Sequence, residues 1–322
     1  MKYKSTVTVA LTSFAIFFAL AVAGGICTAA GFSDYAKNSG VVDSVKDFFD
    51  YLKDFRFTAS DEDTEKANAD YVRKLGSDVE KISVSTSGCS VDVRNGSEFS
   101  VTFSGSVTAG KFDDLDQTGG NKAVSAADAA ADYDNSGIIN ASFTDGVLNI
   151  SVESSKTFSI VGFGGSSVPG HVTVTLPDTY TGSFELNDCF AEVSVSGLDL
   201  DELALNSCFG EVEVRSCGAD MLTVTGLMGE VEVDGSRIAG VNFDSITGEI
   251  SLDNLCAFTV DSTISDVMGE VTIDLPAGTQ LDVDQNDVLG VVSIDRAITN
   301  GAGTASLTVT DVVGEVNVEI DD

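Results

Sequence analysis

The sequence predicts an all-β protein in which short coils of about 19–21 residues stack into a β-solenoid. Two observations predict it. One tripeptide recurs seven times at near-constant spacing, and the apolar residues around it fall into columns when the copies are aligned. A third observation, the charge balance, limits what such a stack can do.

The chain has 322 residues, with 51 Asp+Glu against 17 Lys+Arg and a formal net charge of -34. A chain this acidic is repelled by phosphate backbones, which argues against nucleic-acid binding. A single His argues against a His-rich metal site or a His-based enzyme. The length suits one large domain or two ordinary ones.

The first element is an N-terminal apolar span. Lys2 and Lys4 lie in a stub of residues 1–6, and residues 7–30 follow without a charge. At about 1.5 Å per residue, such a helix crosses a ~30 Å hydrocarbon core. The competing reading is a cleaved signal peptide ending at Thr28-Ala29-Ala30, although signal-peptide cores are shorter, roughly 7–15 residues. Cys27 follows Gly25-Ile26, a poor match to a lipoprotein site. The two lysines favour a cytoplasmic N-terminus, against Lys37 and Lys46 on the far side. The expectation is a single-pass cell-membrane protein with its C-terminal domain outside the cytoplasm.

Residues 31–79 read as a juxtamembrane segment. Val41, Val45, Phe48, Phe49, Leu52 and Phe55 recur at helical spacing within residues 40–57, with Asp43, Lys46, Asp47, Asp50, Lys53 and Asp54 on the other face. This predicts an amphipathic helix that either caps the next domain or lies at the membrane surface. Surface helices usually carry a basic polar face, which this one lacks. Residues 59–69 show no periodicity and read as an acidic linker.

Residues 80–322 form the predicted β domain. The repeats are Ala191-Glu192-Val193, Gly210-Glu211-Val212, Gly229-Glu230-Val231, Gly248-Glu249-Ile250, Gly269-Glu270-Val271, Gly290-Val291-Val292 and Gly314-Glu315-Val316, spaced 19, 19, 19, 21, 21 and 24 residues apart. Each unit holds two short strands, with the glycine at a turn that needs φ freedom. Val193, Val212, Val231, Ile250, Val271, Val292 and Val316 form one column, and Val195, Val214, Val233, Leu252, Ile273, Ile294 and Val318 the next. Leu186, Leu205, Val224 and Phe243 form a third. A lone unit cannot bury its inward face, whereas copies stacked at ~4.8 Å share one continuous core. The earlier strands, from Lys81 to Leu176, are less regular and read as wider coils at the start of the same rod.

The order of these segments resembles a known family. It runs from the N-terminal span through Asp54-Phe55-Arg56-Phe57 and the strand Lys81-Ile82-Ser83-Val84. Val147-Leu148-Asn149-Ile150, then Val172-Thr173-Val174-Thr175-Leu176-Pro177, and the Gly-Glu-Val/Ile turns complete it. This is similar to the bacterial putative-adhesin, or toastrack-like, family over about residues 80–322. The resemblance implies a single-stranded right-handed parallel β-solenoid, often membrane-anchored, and no catalytic motif. The insertion at residues 112–136 and the high acidity depart from the pattern.

Candidate chemistry is sparse. Glu192, Glu211, Glu230, Glu249 and Glu270 should stack on one outward face. Asp234, Asp253, Asp274 and Asp295 should form a second file, with Arg215 below Asp234. Neighbouring carboxylates at ~4.8 Å repel by roughly 1 kcal/mol per pair in water. Weak Ca²⁺ binding would relieve that repulsion; a solvated face is the plainer reading. In residues 132–141, Asp132, Asp134 and Ser136 sit where a calcium loop places oxygens, with Gly137 at its sixth position. Phe143 stands where the loop's Glu belongs, so an ordinary acidic loop is favoured. Cys189 and Cys208 share one inward column with Leu227 and Ile246. Buried free thiols are favoured there over a disulfide between stacked coils. Residues 162–165 are a flexible turn rather than a nucleotide loop, and His171 has no evident Ser or Cys partner.

The function these features favour is a non-catalytic, membrane-anchored, adhesin-like module that binds a surface protein or glycan. Phe190, Phe209 and Met228 beside the turns are candidate contacts, although packing at a corner of the core is the plainer reading for them. The alternative is an accessory or sensor component of a cell-envelope-stress system, which the family resemblance suggests. A polysaccharide-active β-helix enzyme is a remote third reading, since Arg215, Arg237 and Arg296 form no cluster in sequence.

Overall fold

The computed structural model describes residues 64–86, 89–108, 133–134, 137–153, 159–161, 165–167, 170–189, 192–299, 303 and 305–320. The N-terminal span and the amphipathic helix lie outside the described residues. Among the described residues, no helix is long and apolar enough to cross a membrane.

The described chain is all-β. Its first part holds β1 (Thr64–Arg73), β2 (Lys81–Ser85), β3 (Ser90–Gly96) and β4 (Phe99–Thr108). Then come β5 (Tyr133–Asp134), β6 (Ile139–Thr144), β7 (Val147–Val152), β8 (Ser159–Val161), β9 (Gly165–Ser167) and β10 (Gly170–Pro177). The repeats supply β11 (Ser183–Asn187), β12 (Val193–Ser196), β13 (Asp199–Asn206), β14 (Phe209–Arg215), β15 (Gly218–Thr225) and β16 (Met228–Ile238). They continue with β17 (Val241–Asn254), β18 (Ser262–Leu275), β19 (Leu281–Asn286), β20 (Leu289–Ile294), the helix α1 (Arg296–Thr299) and β21 (Ala305–Ile320).

The strands build two main walls. In one, β7, β2, β11, β13, β15 and the first halves of β17, β18 and β21 pair in parallel, ending at β19. In the other, β10, β3, β12, β14, β16 and the second halves of β17, β18 and β21 pair in parallel, ending at β20. A short third ladder joins Asp199 to Gly218 and Gly218 to Arg237.

The aligned columns of the sequence are real neighbours. Val212 pairs with Val231 and Val231 with Ile250, and all three are buried. The core runs the length of the stack, and its bulkiest members include Phe99, Phe103, Phe184, Phe243 and Phe258. Alternation does this directly: every second side chain on a pleated strand points inward, so a Val-x-Val strand gives two core residues per wall.

Three expectations are corrected. The first concerns rung order at the C-terminal end. Val271 pairs with Val316, and Val316 with Val292. The last strand in sequence is therefore the second-to-last rung in space, because β21 inserts between β18 and the β19/β20 pair. The second concerns the early part, which is not simply wider coils. β2 and β3 form a parallel rung directly beside β11 and β12, and the later strands β7 and β10 lie outside it. Beyond them, β6 pairs antiparallel with β7, β4 with β10, and β1 with β4. The third concerns residues 59–69. Thr64–Arg73 is a strand, and Ala67, Ala69 and Tyr71 are buried. Its alternating small and aromatic inward residues are too weakly apolar to announce a strand. Tyr71 packs edge-on to Phe99, and the Arg73 guanidinium lies 4.9 Å from the centroid of the Phe143 ring. Together they close this end of the stack.

Candidate binding face

The outer side of the second wall carries the acidic file. Glu211 pairs with Glu230, Glu230 with Glu249, Glu249 with Glu270, and Glu270 with Glu315. Val193, the residue after Glu192, pairs with Val212, which sets Glu192 at the head of this file. The file is held in register by glycine. A Cβ on Gly229 would lie 2.0 Å from the Gly210 carbonyl oxygen, and one on Gly248 would lie 1.8 Å from that of Gly229. With φ of +148° and +146°, these positions exclude side chains on two grounds.

Burial pushes the Glu211 carboxyl above its ordinary range, and the neighbouring Glu192, Glu213 and Glu232 add to this. Burial also raises Glu230, helped by Glu249, Glu211 and Glu232. The ladder thus accumulates charge that its own neighbours oppose.

Beside the glycines runs a half-buried file. Phe209 pairs with Met228, Met228 with Thr247, Thr247 with Met268, and Met268 with Val313. Phe190 lies outside the described residues. The face therefore presents an apolar stripe, a glycine groove and an acidic stripe, repeated at each rung.

The second acidic file is only partly continuous. Arg215 pairs with Asp234, and Asp253 with Asp274. Between Asp234 and Asp253 the register shifts, because a bulge at Val233/Ser236 adds residues to β16. The Arg215 guanidinium forms an ion pair with Glu213 on its own strand.

The family model for Toastrack DUF4097 matches residues 79–322, which span the whole of this face and most of the stack. The chain belongs to the Toastrack DUF4097 family. No match is found among curated proteins. Among solved structures, a putative adhesin from Bacteroides fragilis is similar at 14% identity and a TM-score of 0.47, covering 80% of this chain and 98% of that one. A putative cell adhesion protein from Clostridium sporogenes has 13% identity and a TM-score of 0.36, covering 80% and 100%. A putative adhesin from Parabacteroides distasonis has 12% identity and a TM-score of 0.37, covering 81% and 98%.

In this toastrack chain the other sequence candidates fall as follows. Asp132 and Ser136 lie outside the described residues. Asp134 is in β5, paired antiparallel with Asn140 in a hairpin. Among the described residues, no group of three or more His, Cys, Asp or Glu is placed to hold a metal ion. Cys189 and Cys208 are free, buried thiols in the expected column. Burial pushes the Cys189 thiol well up, and the Cys208 thiol beside it adds to the effect. The Thr86 hydroxyl donates to the Cys189 Sγ at 3.7 Å. His171 does have a serine partner: the Ser90 Oγ lies 3.0 Å from its Nδ1, on an exposed strand pair. Ser90 is 81 residues away in sequence, beyond the reach of any local motif.

Sequence reasoning missed the second corner of each rung. Asp188, Ser207, Gly226, Ser245, Asp266, Asp311 and Asp287 all have φ between +49° and +67°. The signal was present as Asn-Asp, Asn-Ser, Thr-Gly, Asp-Ser, Ser-Asp and Thr-Asp pairs at the same spacing as the glycines. At this corner Asp266 is pushed up to about 6 by burial, with Asp244 and Asp311 adding repulsion. One of its carboxylate oxygens is buried without a partner among the described residues.

Proposed function

We propose that this chain is a non-catalytic, membrane-anchored, extracytoplasmic binding module whose stack winds as a single-stranded right-handed parallel β-solenoid. The observation that carries the reading is the lateral face of the second wall. Phe209, Met228, Thr247, Met268 and Val313 run beside Glu211, Glu230, Glu249, Glu270 and Glu315 at a repeat of ~4.8 Å. A repeated face of this kind suits an extended ligand, either a surface protein or a glycan chain, that meets equivalent positions on successive rungs. Half-buried Met and Phe supply adaptable apolar contact, and the glutamates accept hydrogen bonds from hydroxyl and amide donors.

The test uses cells that display the full-length chain on surfaces carrying glycans or matrix proteins. Attachment is expected, with loss when Met228→Asp and Met268→Asp are combined. No attachment to any surface overturns the reading. Loss of an envelope-stress response on deletion, with attachment unchanged, transfers it to the accessory role.

A further inference from the structure

We propose that Cys189 and Cys208 are a modification site, the two halves of a disulfide that joins neighbouring rungs when the chain folds in the presence of a disulfide oxidant. Both are free thiols in the structure. They are spaced 19 residues apart and hold the same place on consecutive rungs. Two residues before them, Asn187 pairs with Asn206. Backbone hydrogen bonds then bracket the cysteines. The Asp188 N–H donates to the Asn206 carbonyl oxygen at 3.2 Å, and the Phe209 N–H to the Cys189 carbonyl oxygen at 2.9 Å. Their Cα atoms are therefore one rung apart, ~4.8 Å, inside the range of about 4.4–6.8 Å that a disulfide spans.

The two side chains are set alike. Each Sγ lies 3.7 Å from the carbonyl oxygen two residues back, that of Asn187 for Cys189 and that of Asn206 for Cys208. The Cys208 thiol lies against that of Cys189. On the next two rungs the same place is filled by buried Leu227 and Ile246: the Met228 N–H donates to the Cys208 carbonyl oxygen at 3.0 Å, and the Thr247 N–H to that of Leu227 at 2.8 Å. The position thus asks only for apolar bulk, and the thiol chemistry is additional to it.

The step is thiol–disulfide exchange. One cysteine thiolate attacks the oxidant's disulfide, forming a mixed disulfide and releasing one thiol. The second cysteine attacks the protein sulfur of that mixed disulfide, closes the Cys189–Cys208 bond and releases the other thiol. Two protein thiols are oxidised, one disulfide is reduced, and its two sulfurs take up the two protons.

Burial decides when this happens. In the folded core Cys189 and Cys208 are 0% and 1% exposed. Burial also pushes the Cys189 thiol well up, which keeps it from ionising there. The bond closes while the rungs are still assembling, and a chain folded without oxidant seals both thiols in. The pair records the redox conditions of folding. An extracytoplasmic chain meets disulfide oxidants at that stage. The proposal does not depend on what the lateral face binds.

The experiment makes the full-length chain by cell-free synthesis in detergent, once with glutathione disulfide and once with dithiothreitol. Thermal melts confirm that both products fold. Each is unfolded in iodoacetamide, cleaved at glutamates without reduction and mapped by mass spectrometry. With glutathione disulfide, the Cys189 and Cys208 peptides are expected to be joined by a disulfide in most chains. With dithiothreitol, both should be alkylated. Glutathione disulfide added to the second product after folding should leave them unjoined. Cys189 and Cys208 alkylated after oxidising synthesis, or Cys189 joined to Cys89 instead, overturns the proposal. Equal joining before and after folding overturns the account of when the bond closes.

Discussion

Val316 pairs in parallel register with Val271, although Val292 lies between them in sequence and beyond Val316 in space. The stack is thus finished out of order. β19 and β20 have no rung to pair with until β21 has returned between them and β18. Deleting residues 305–322 should therefore do more than remove one rung. It should uncover the Ile264 and Val271 layer and leave β19 and β20 unpaired. The expected outcome is loss of a cooperative thermal transition in the C-terminal rungs, measured by circular dichroism and by amide exchange of β18. A truncated chain that melts like wild type would contradict the inserted order.

The glycine file gives a graded prediction. Gly248→Ala places a Cβ 1.8 Å from the Gly229 carbonyl oxygen, which only a backbone shift can relieve. A cost of about 3 kcal/mol or more is expected, read as a large fall in Tm or loss of soluble protein. Gly235 also has a positive φ, +56°, but nothing lies within 4 Å of its built Cβ. Gly235→Ala should cost only the left-handed penalty of about 1 kcal/mol. Equal effects at both positions would mean that rung contact is not what selects glycine.

The regular wall was legible in the sequence because its signal is local and repeated. Gly-Glu-Val recurs, inward valines alternate, and parallel in-register stacking turns each alignment column into a physical column. The ends were not legible. Nothing in Val316 itself says that it lies between Val271 and Val292, since all three have the same chemistry. Thr64–Arg73 was missed because Ala67, Ala69 and Tyr71 make a weak apolar pattern amid acidic residues. The corner at Ser245 and Asp266 was overlooked because Asp and Ser in the left-handed region look like any surface loop. The outward glutamates were placed correctly from spacing alone.

Acidity should stabilise this protein over part of its range. In the folded state burial, with Asp244 and Asp311, raises the Asp266 carboxyl to about 6. The folded state then holds this proton more tightly than the unfolded chain does. Stability contributed by the protonated form is fully present below the ordinary value of 3.8, falls across the interval above it, and is lost once pH has risen through about 6. Asp266→Asn keeps the shape and tolerates the left-handed backbone. Allowing for solvent screening, it should gain about 1 kcal/mol at pH 7.5, or ~2–4 °C in Tm. At pH 5 the gain should be about halved, and it should vanish below the ordinary value of 3.8. A Tm difference independent of pH would remove the electrostatic account.

Thiol reactivity should follow burial. Cys89, Cys189, Cys208 and Cys217 are buried, whereas Cys256 is half-buried. Burial raises the Cys256 thiol, but the nearby Arg237 opposes this. Brief maleimide treatment of the native chain, mapped by peptide mass spectrometry, should label Cys256 well before Cys89, Cys189, Cys208 and Cys217. Labelling of Cys189 or Cys208 should require denaturant. Equal rates across the five would show that the core opens on the labelling timescale.

Asn254 carries the third ladder past the bulge. Its Oδ1 accepts from the Ile238 N–H at 2.8 Å, and its Nδ2 donates to the carbonyl oxygens of Ile238 at 2.7 Å and Cys256 at 2.8 Å. One side chain thus makes both hydrogen bonds that a strand residue would make to Ile238, and it is itself buried. Asn254→Ala would strand the Ile238 N–H and the Cys256 carbonyl and leave the Ile238 carbonyl with only the Cys256 thiol, 3.2 Å away. The expected cost is ~2–4 kcal/mol, because buried unsatisfied groups lose their full desolvation energy. Asn254→Asp is the sharper probe. It keeps the acceptor for Ile238 N–H but loses the donor and brings a buried charge. It should therefore be at least as damaging as alanine at pH 7.5, and less so at pH 4, where the carboxyl regains a proton to donate. Urea titration of both variants at the two pH values measures this, and an alanine variant within about 0.5 kcal/mol of wild type would show that the amide is dispensable.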